Sequence, residues 1–238
     1  MFRFYVSRLV NGIAFLDENE SRHCFKVLRK KNGDLIQLTD GAGTYGVGRI
    51  INIDKHRCQL EIIERQFIQQ DPFHVHIAIA PVKNHDRMEW FVEKSTEIGI
   101  HEISFISCDY SERKTLNTQR LIKKARSAIK QSGRYYLPKI NNPDTFNNWV
   151  ENNKADEMFA AHPDEQNNLL LNQSAIPGNS YILLIGPEGG FSSEEINTMK
   201  RKGYRFISLG RNVLRTETAG IVGCQMLCEI NFDTDKQI

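Results

Sequence analysis

With 238 residues, 40% hydrophobic and 25% charged, the chain is long enough for one large domain or two modest ones, and its composition excludes a disordered protein. No apolar run approaches the roughly 20 residues of a membrane helix, and the opening MFRFYVSRLVNG lacks the layout of a signal peptide, so a cytoplasmic protein with no membrane partner is expected. The formal net charge of +2 says little until its distribution along the chain is read.

Residues 1–70 read mostly as strands. FRFYV opens, and DLIQLTD, YGVGRII and RCQLEIIE follow with strand character. The turns between them, KNGD, DGAGT and NIDKHR, are rich in the residues that accept tight φ values. A short helix is expected from about Asp17 to Leu28, which makes this segment a small β-barrel with one helix. That helix closes on Arg22, His23, Lys26, Arg29, Lys30 and Lys31. Arg22, Lys26 and Arg29 are candidate phosphate contacts, although acids first and bases last also suit the helix dipole.

Pro72 marks a boundary, and the pattern then changes to alternating strands and helices. HVHIAIAP, EISFISC, EMFAAH, SYILLIG and RFISLG are strands. DRMEWFVEKSTEIGI is a helix with Met88, Phe91, Val92, Ser95 and Ile98 on one face; TQRLIKKARSAIKQS, SEEINTMKRKG and TAGIVGCQMLCEI are further helices. The alternation predicts an α/β domain over residues 73–238: a parallel sheet with helices on both faces.

No Asp or Glu occurs from Arg113 to Pro143, a stretch that carries Arg113, Lys114, Arg120, Lys123, Lys124, Arg126, Lys130, Arg134 and Lys139. Leu121, Ala125, Ala128 and Ile129 should face a core, which turns Lys123, Lys124, Arg126 and Lys130 outward. A solvated helix face normally mixes both signs, so this one is read as a phosphate-binding face. Segregated basic blocks in a chain of balanced charge point to a nucleic-acid binder. Cys24, Cys58, Cys108, Cys224 and Cys228 form no CxxC pair and lack ligand partners at metal spacing. Buried thiols in a reducing compartment, and no metal, are expected.

LLIGPEGGFSSEE holds the most specific signal. A strand stops at Gly186-Pro187-Glu188-Gly189-Gly190, and Ser192 with Glu195 forms a capping box that starts a helix. There is no phosphate lysine, the spacing is neither GxxxxGK[ST] nor GxGxxG, and Glu188 would repel a phosphate. ISLGRNVLRTETAG supplies a companion loop, from Leu209-Gly210 through Leu214-Arg215 to a helix at about Thr216. Loops at the carboxyl ends of neighbouring parallel strands form the usual ligand crevice of an open sheet. Bare glycine backbone ringed by Ile185, Leu209 and Leu214 suits a flat, mostly uncharged ring with an amino-acid-like tail, a nucleoside-like cofactor.

LLIGPEGGFS followed by LGRNVLRTETA closely resembles the two signature loops of the RsmE-type ribosomal RNA methyltransferases, members of the SPOUT class. The likeness extends to KNHDRMEWFVEKSTEIGI, to QRLIKKARSAIKQSGR and to DGAGTYG, and so covers nearly the whole chain; Asn84 and His85 depart from the smaller residues common there. The resemblance implies a deep trefoil knot in the α/β domain, a PUA-like RNA-binding barrel, and a homodimer packed through the knot region. It implies S-adenosyl-L-methionine as cofactor and methylation of ring nitrogen 3 of a uridine in 16S rRNA, free or in the small ribosomal subunit.

On that resemblance the cofactor contacts are Leu184, Ile185, Gly186, Pro187, Glu188, Gly189, Gly190, Leu209, Gly210, Leu214, Thr218 and Ala219. Arg215 is the candidate stabiliser of the uridine anion and Glu217 the candidate base. Gln131 and Arg134 join the basic residues on the RNA side. Glu188 either meets the cofactor ammonium or caps its own loop. A SPOUT enzyme acting on another RNA, a non-catalytic RNA-binding assembly factor and a nucleotide-dependent enzyme are the alternatives left open.

Overall fold

The computed structural model describes residues 3–54, 56–112, 116–162 and 169–232. It falls into two units, one built from Met1–Gln70 with Arg126–Leu137, the other from Asp71–Ala125 with Pro138–Ile238. Arg113 and Lys114 lie outside the described residues.

The first unit is one five-stranded sheet in the order β1-β3-β4-β5-β2. β1 (Arg3–Tyr5) runs parallel to β3 (Leu35–Thr39), and β4 (Thr44–Asn52), β5 (Gln59–Phe67) and β2 (Gly12–Phe15) continue it antiparallel. No pairing of β1 with β2 closes it into a complete barrel among the described residues. Alternate residues turn inward, as the two-residue period requires: Phe4, Ala14, Ile36, Leu38, Ile50 and Leu60 form the core with Leu16 and Cys24. Asp17 caps α1 (Glu18–Arg22) by accepting the Glu20 amide at 2.8 Å. The helix then widens into π-turns over His23–Val27. Segment 126–137 is fastened to this sheet by Leu137 N–H donating to Gly41 O (2.8 Å) and the Tyr136 hydroxyl donating to Ile68 O (2.6 Å).

In the second unit the strands are β6 (His74–Ile79), β7 (Glu102–Ser107), β8 (Lys139–Ile140), β9 (Asp144–Thr145), β10 (Glu157–Ala161), β11 (Ser180–Ile185) and β12 (Arg205–Ile207). All pair in parallel, in the order β12-β10-β11-β6-β7-β8, with β9 also on β7. The helices are α2 (His85–Ile98), α3 (Thr118–Ser132), α4 (Phe146–Asn152), α5 (Leu171–Ser174), α6 (Ser193–Arg201) and α7 (Thr216–Glu229). Residues 126–132, nearly half of α3, belong to the first unit.

The expected placement of helices on both faces holds. Ala78, Ile106, Ala160, Ile182 and Leu184 pack with Phe146 and Trp149 of α4, with Phe191 in the loop before α6 and with Met199 of α6. The alternate residues Ile79 and Leu183 meet α7 at Gly220 and Gly223. One expectation is corrected: β11 and β12 follow each other in the chain but are not sheet neighbours, because β10 lies between them.

The start of β6 carries a buried polar group. His76, 6% exposed, pairs its Nε2 with Ser104 Oγ at 2.8 Å and stands edge-on to Trp149. Burial lowers its pKa from 6.5 to about 4, against the pull of Glu102 and aided by His74 and Lys139. The unfolded chain therefore binds more protons here than the folded one, and stability is full above about pH 6.5 and falls as pH drops toward 4. We expect His76→Gln to flatten that decline, by on the order of 2–3 kcal/mol at the acid end. Chemical denaturation at pH 7.5, 6 and 5 checks this, and parallel curves for the two proteins would refute it.

Candidate active site

The glycine loop begins where β11 ends. Gly190 N–H donates to Pro187 O at 2.9 Å, a turn that needs the φ of +75° a glycine tolerates. The predicted capping box is present: Ser192 Oγ accepts the Glu195 amide, and Glu195 Oε2 accepts the Ser192 amide at 2.8 Å. Both residues also reach the loop after β7. Glu195 Oε1 accepts Asp109 N–H at 3.0 Å, and Ser192 Oγ donates to Asp109 Oδ2 at 2.6 Å. Burial, reinforced by the Glu195 charge, pushes the Cys108 thiol well above its ordinary range, so it is an inert core group. The loop is thus pinned at its far end, while Glu188 and Gly189 stay exposed.

The companion loop is joined to it directly. Thr216 Oγ1, in the first turn of α7, donates to Gly186 O at 3.2 Å. The two loops therefore meet through this bond rather than through adjacent strands, which replaces the neighbour relation expected from sequence. Arg215 is the N-cap of α7, makes no capping bond with its side chain, and is exposed with no ion pair among the described residues. Gly210 takes φ +142°, and a Cβ built there or at Gly190 meets nothing within 4 Å, so the loops border open space at both positions.

Glu217 sits one turn inside, 5% exposed, with Oε1 at 3.6 Å from Arg87 Nε on α2. Its Oε2 is buried without a hydrogen-bond partner. A lone buried carboxylate oxygen is costly and needs a reason. No spacing rule connects the start of α2 with the start of α7, so the sequence alone does not mark Arg87 as a partner of Glu217.

The other predicted cofactor residues divide. Ile185, Pro187 and Ala219 are buried at the loop bases, and Leu209, Leu214 and Thr218 are half-buried. Leu184 is fully buried with its side chain in the α4/α6 core, so it offers this site backbone only.

The basic helix is corrected more sharply. Its own sequence is free of acids, but neighbouring elements supply them. Lys124 pairs with Glu93 of α2 at 3.0 Å, Arg120 with Glu89, and Lys130 with Glu20 of α1. Arg126 lies over the Tyr5 ring at 4.7 Å. Lys123 and Gln131 are exposed and Arg134 half-exposed. In the first unit Arg22 pairs with Glu18 at 2.8 Å, whereas Lys26 and Arg29 are exposed without an ion pair among the described residues.

A cavity of about 480 Å³ lined by Phe73, Pro177, Ile230 and Phe232 lies at the amino ends of β6 and β11, away from the glycine loops. It carries no cluster of reactive groups. Among the described residues no group of three or more His, Cys, Asp or Glu is arranged to hold a metal ion.

The sequence pattern of the RNA methyltransferase domain family matches residues 69–228, which contain both loops, and that of the RNA methyltransferase PUA domain matches residues 16–63. The chain belongs to the RNA methyltransferase family. The methyltransferase is 30% identical to the ribosomal RNA small subunit methyltransferase E of Buchnera aphidicola subsp. Acyrthosiphon pisum, over 92% of this chain and 88% of the relative. Its fold superposes on a probable rRNA-methyltransferase of Porphyromonas gingivalis with a TM-score of 0.89 and 33% identity, covering 97% and 98% of the two chains. A putative methyltransferase of Legionella pneumophila, solved with the bound cofactor SAM, gives a TM-score of 0.88 at 26% identity, covering 98% and 99%. The sheet of the first unit is accordingly a PUA-like domain, and the methyltransferase is an enzyme.

Proposed function

We propose that the methyltransferase transfers the methyl group of S-adenosylmethionine to ring nitrogen 3 of a uridine in small-subunit (16S) ribosomal RNA, in the cytoplasm. The observation that supports this is the Thr216–Gly186 bond, which joins the glycine loop to the start of α7, where Arg215 is the exposed N-cap residue. The residues fit the cofactor: glycine backbone bordering open space at Gly190 and Gly210, apolar Leu209 and Leu214, and no lysine in the 186–190 loop. Within the 186–190 loop itself a phosphate would meet the Glu188 carboxylate and no lysine.

Bound S-adenosylmethionine supplies a methyl on a positively charged sulfur, electrophilic enough to need no covalent enzyme intermediate. The chain's own task is the uridine. Its N3 carries a proton and is a poor nucleophile until that proton leaves, and the charge then spreads over the two ring carbonyls. Arg215 is suited to hold those carbonyls with its planar fork of donors. Glu217 is the proposed proton acceptor: Arg87 holds its Oε1, and Oε2 is unclaimed. N3 lies on the pairing edge, so the target base has to leave its stack.

RNA contact is assigned to Lys26, Arg29, Lys123, Gln131 and Arg134, supported by their exposure. Arg22, Lys124, Arg126 and Lys130 contribute less in this reading, since each already has a partner. A trefoil-knotted path is supported by the insertion of β11 between β10 and β6. A homodimer through that region is supported by Trp90 on α2, 45% exposed one turn from Arg87. The test is transfer itself: purified protein, S-adenosylmethionine and small subunits should yield 3-methyluridine, and the reading falls if no modified nucleoside forms.

A further inference from the structure

We propose that the π-turn His23–Val27 and the residues after it form a platform for single-stranded RNA, on which Phe25 stacks against an unpaired base while Lys26, Arg29 and Lys31 hold the flanking phosphates. The inference rests on the RNA-binding reading of this PUA-like unit and names the form of RNA it takes.

The first observation is a broken period. Ser21 and Cys24 are fully buried and Leu28 packs on the same core. A regular α-helix with those three inward would turn Phe25 inward as well, since 21, 24, 25 and 28 share one face. Instead the segment widens, Leu28 N–H bonds back to His23 O at 3.1 Å, and Phe25 is 46% exposed with Val27 at 64%. π-Turns of this kind are enriched at functional sites, and sites where local pattern and structure disagree are where function is expected.

A second observation concerns charge. Lys26, Arg29 and Lys31 are exposed within six residues of Phe25, and none has an ion pair among the described residues. Arg29 is held at φ +50°, the one described non-glycine residue in that region, a conformation that costs free energy. The ring itself is also open. Phe15, another exposed phenylalanine of this unit, is covered by the Arg57 guanidinium at 4.0 Å, whereas no cation or ring sits over Phe25 among the described residues.

An apolar ring flanked by unpaired cations matches a polyanion with accessible π-faces. Single-stranded RNA offers both; duplex RNA hides its base faces, and its major groove is too deep for side chains. Backbone charge supplies salt-dependent attraction, and the ring supplies a sequence-tolerant stack.

The test uses the full chain and a single-stranded oligouridylate, with a matched duplex as control, read by fluorescence anisotropy across a salt series. Phe25→Ala and Phe25→Leu are expected to bind the single strand roughly 5- to 100-fold more weakly with an unchanged salt slope. Phe25→Trp should retain affinity, with its added indole emission quenched on binding. The Lys26→Ala/Arg29→Ala/Lys31→Ala variant should weaken binding and reduce the salt slope by about two. Phe25→Leu binding like wild type, or a preference for the duplex, overturns the platform while leaving RNA binding by this unit intact. Wild-type protein with no salt-dependent affinity for either RNA overturns both the platform and the reading it rests on. Thermal unfolding of each variant separates a lost contact from a lost fold.

Discussion

Arg215→Ala is expected to slow methylation by about 10²- to 10³-fold while S-adenosylmethionine binds within about threefold of wild type. The size follows from the role. A guanidinium aimed at charge that develops only as N3 loses its proton contributes to the transition state and little to the ground state. A structural explanation for such a loss is closed off in advance: Arg215 makes no capping bond with its side chain and no ion pair among the described residues, so truncation leaves the start of α7 intact. Arg215→Lys keeps the charge without the planar fork and should recover part of the rate. Initial rates with small subunits, beside calorimetric titration of the cofactor, make the measurement. Near-wild-type rates in the alanine variant would remove Arg215 from the site.

Gly220→Ala is expected to destabilise the protein by about 1–3 kcal/mol and to lower its Tm by several degrees. A Cβ at Gly220 would lie 2.6 and 2.9 Å from Phe91 ring atoms and 3.1 Å from Ile79 Cδ1, and both side chains are fully buried. A ring locked between α2 and the sheet cannot turn aside, so α7 has to shift. The helix propensity gained by alanine, about 1 kcal/mol, offsets only part of the cost. Gly223→Ala is the informative contrast. Its Cβ would meet Leu183 Cδ2 at 2.2 Å, the end of a side chain that has other rotamers, so the milder effect is expected there despite the shorter distance. Moving α7 also moves Thr216 from Gly186 O, so methylation should fall along with Tm in Gly220→Ala. Urea unfolding of the two variants decides the order, and a Gly220→Ala protein as stable as wild type refutes this account of the α2–α7 packing.

Local signals in the sequence translated well. The Ser192–Glu195 capping box, the strand alternation of SYILLI and the helical stripe Met88, Phe91, Val92 and Ser95 each appear in the fold because neighbouring residues settle them. Thr96, rather than Ile98, completes that stripe, donating its hydroxyl to Val92 O at 2.6 Å. Short elements escaped: GIAF gives too few alternations to register as β2, and α4 lacks a charged first turn.

What the sequence hides is mostly three-dimensional. No spacing rule states that β10 separates β11 from β12, that Glu89, Glu93 and Glu20 neutralise a helix with no acids of its own, or that Arg87 reaches Glu217. Those partners lie 31 to 130 residues apart in the chain, where only the tertiary fold brings them together. The glycine loops were visible because glycine marks unusual backbone, but the bond that joins them, Thr216 to Gly186, was not.

The most direct test of the central claim is nucleoside mass spectrometry of small-subunit rRNA. Subunits from cells lacking this protein, incubated with the purified enzyme and methyl-labelled S-adenosylmethionine, should gain label in 3-methyluridine at a single position, and the same RNA from the parent cells should gain none. Label in a different nucleoside, or none in either sample, would contradict the assignment of these two loops to uridine N3 methylation.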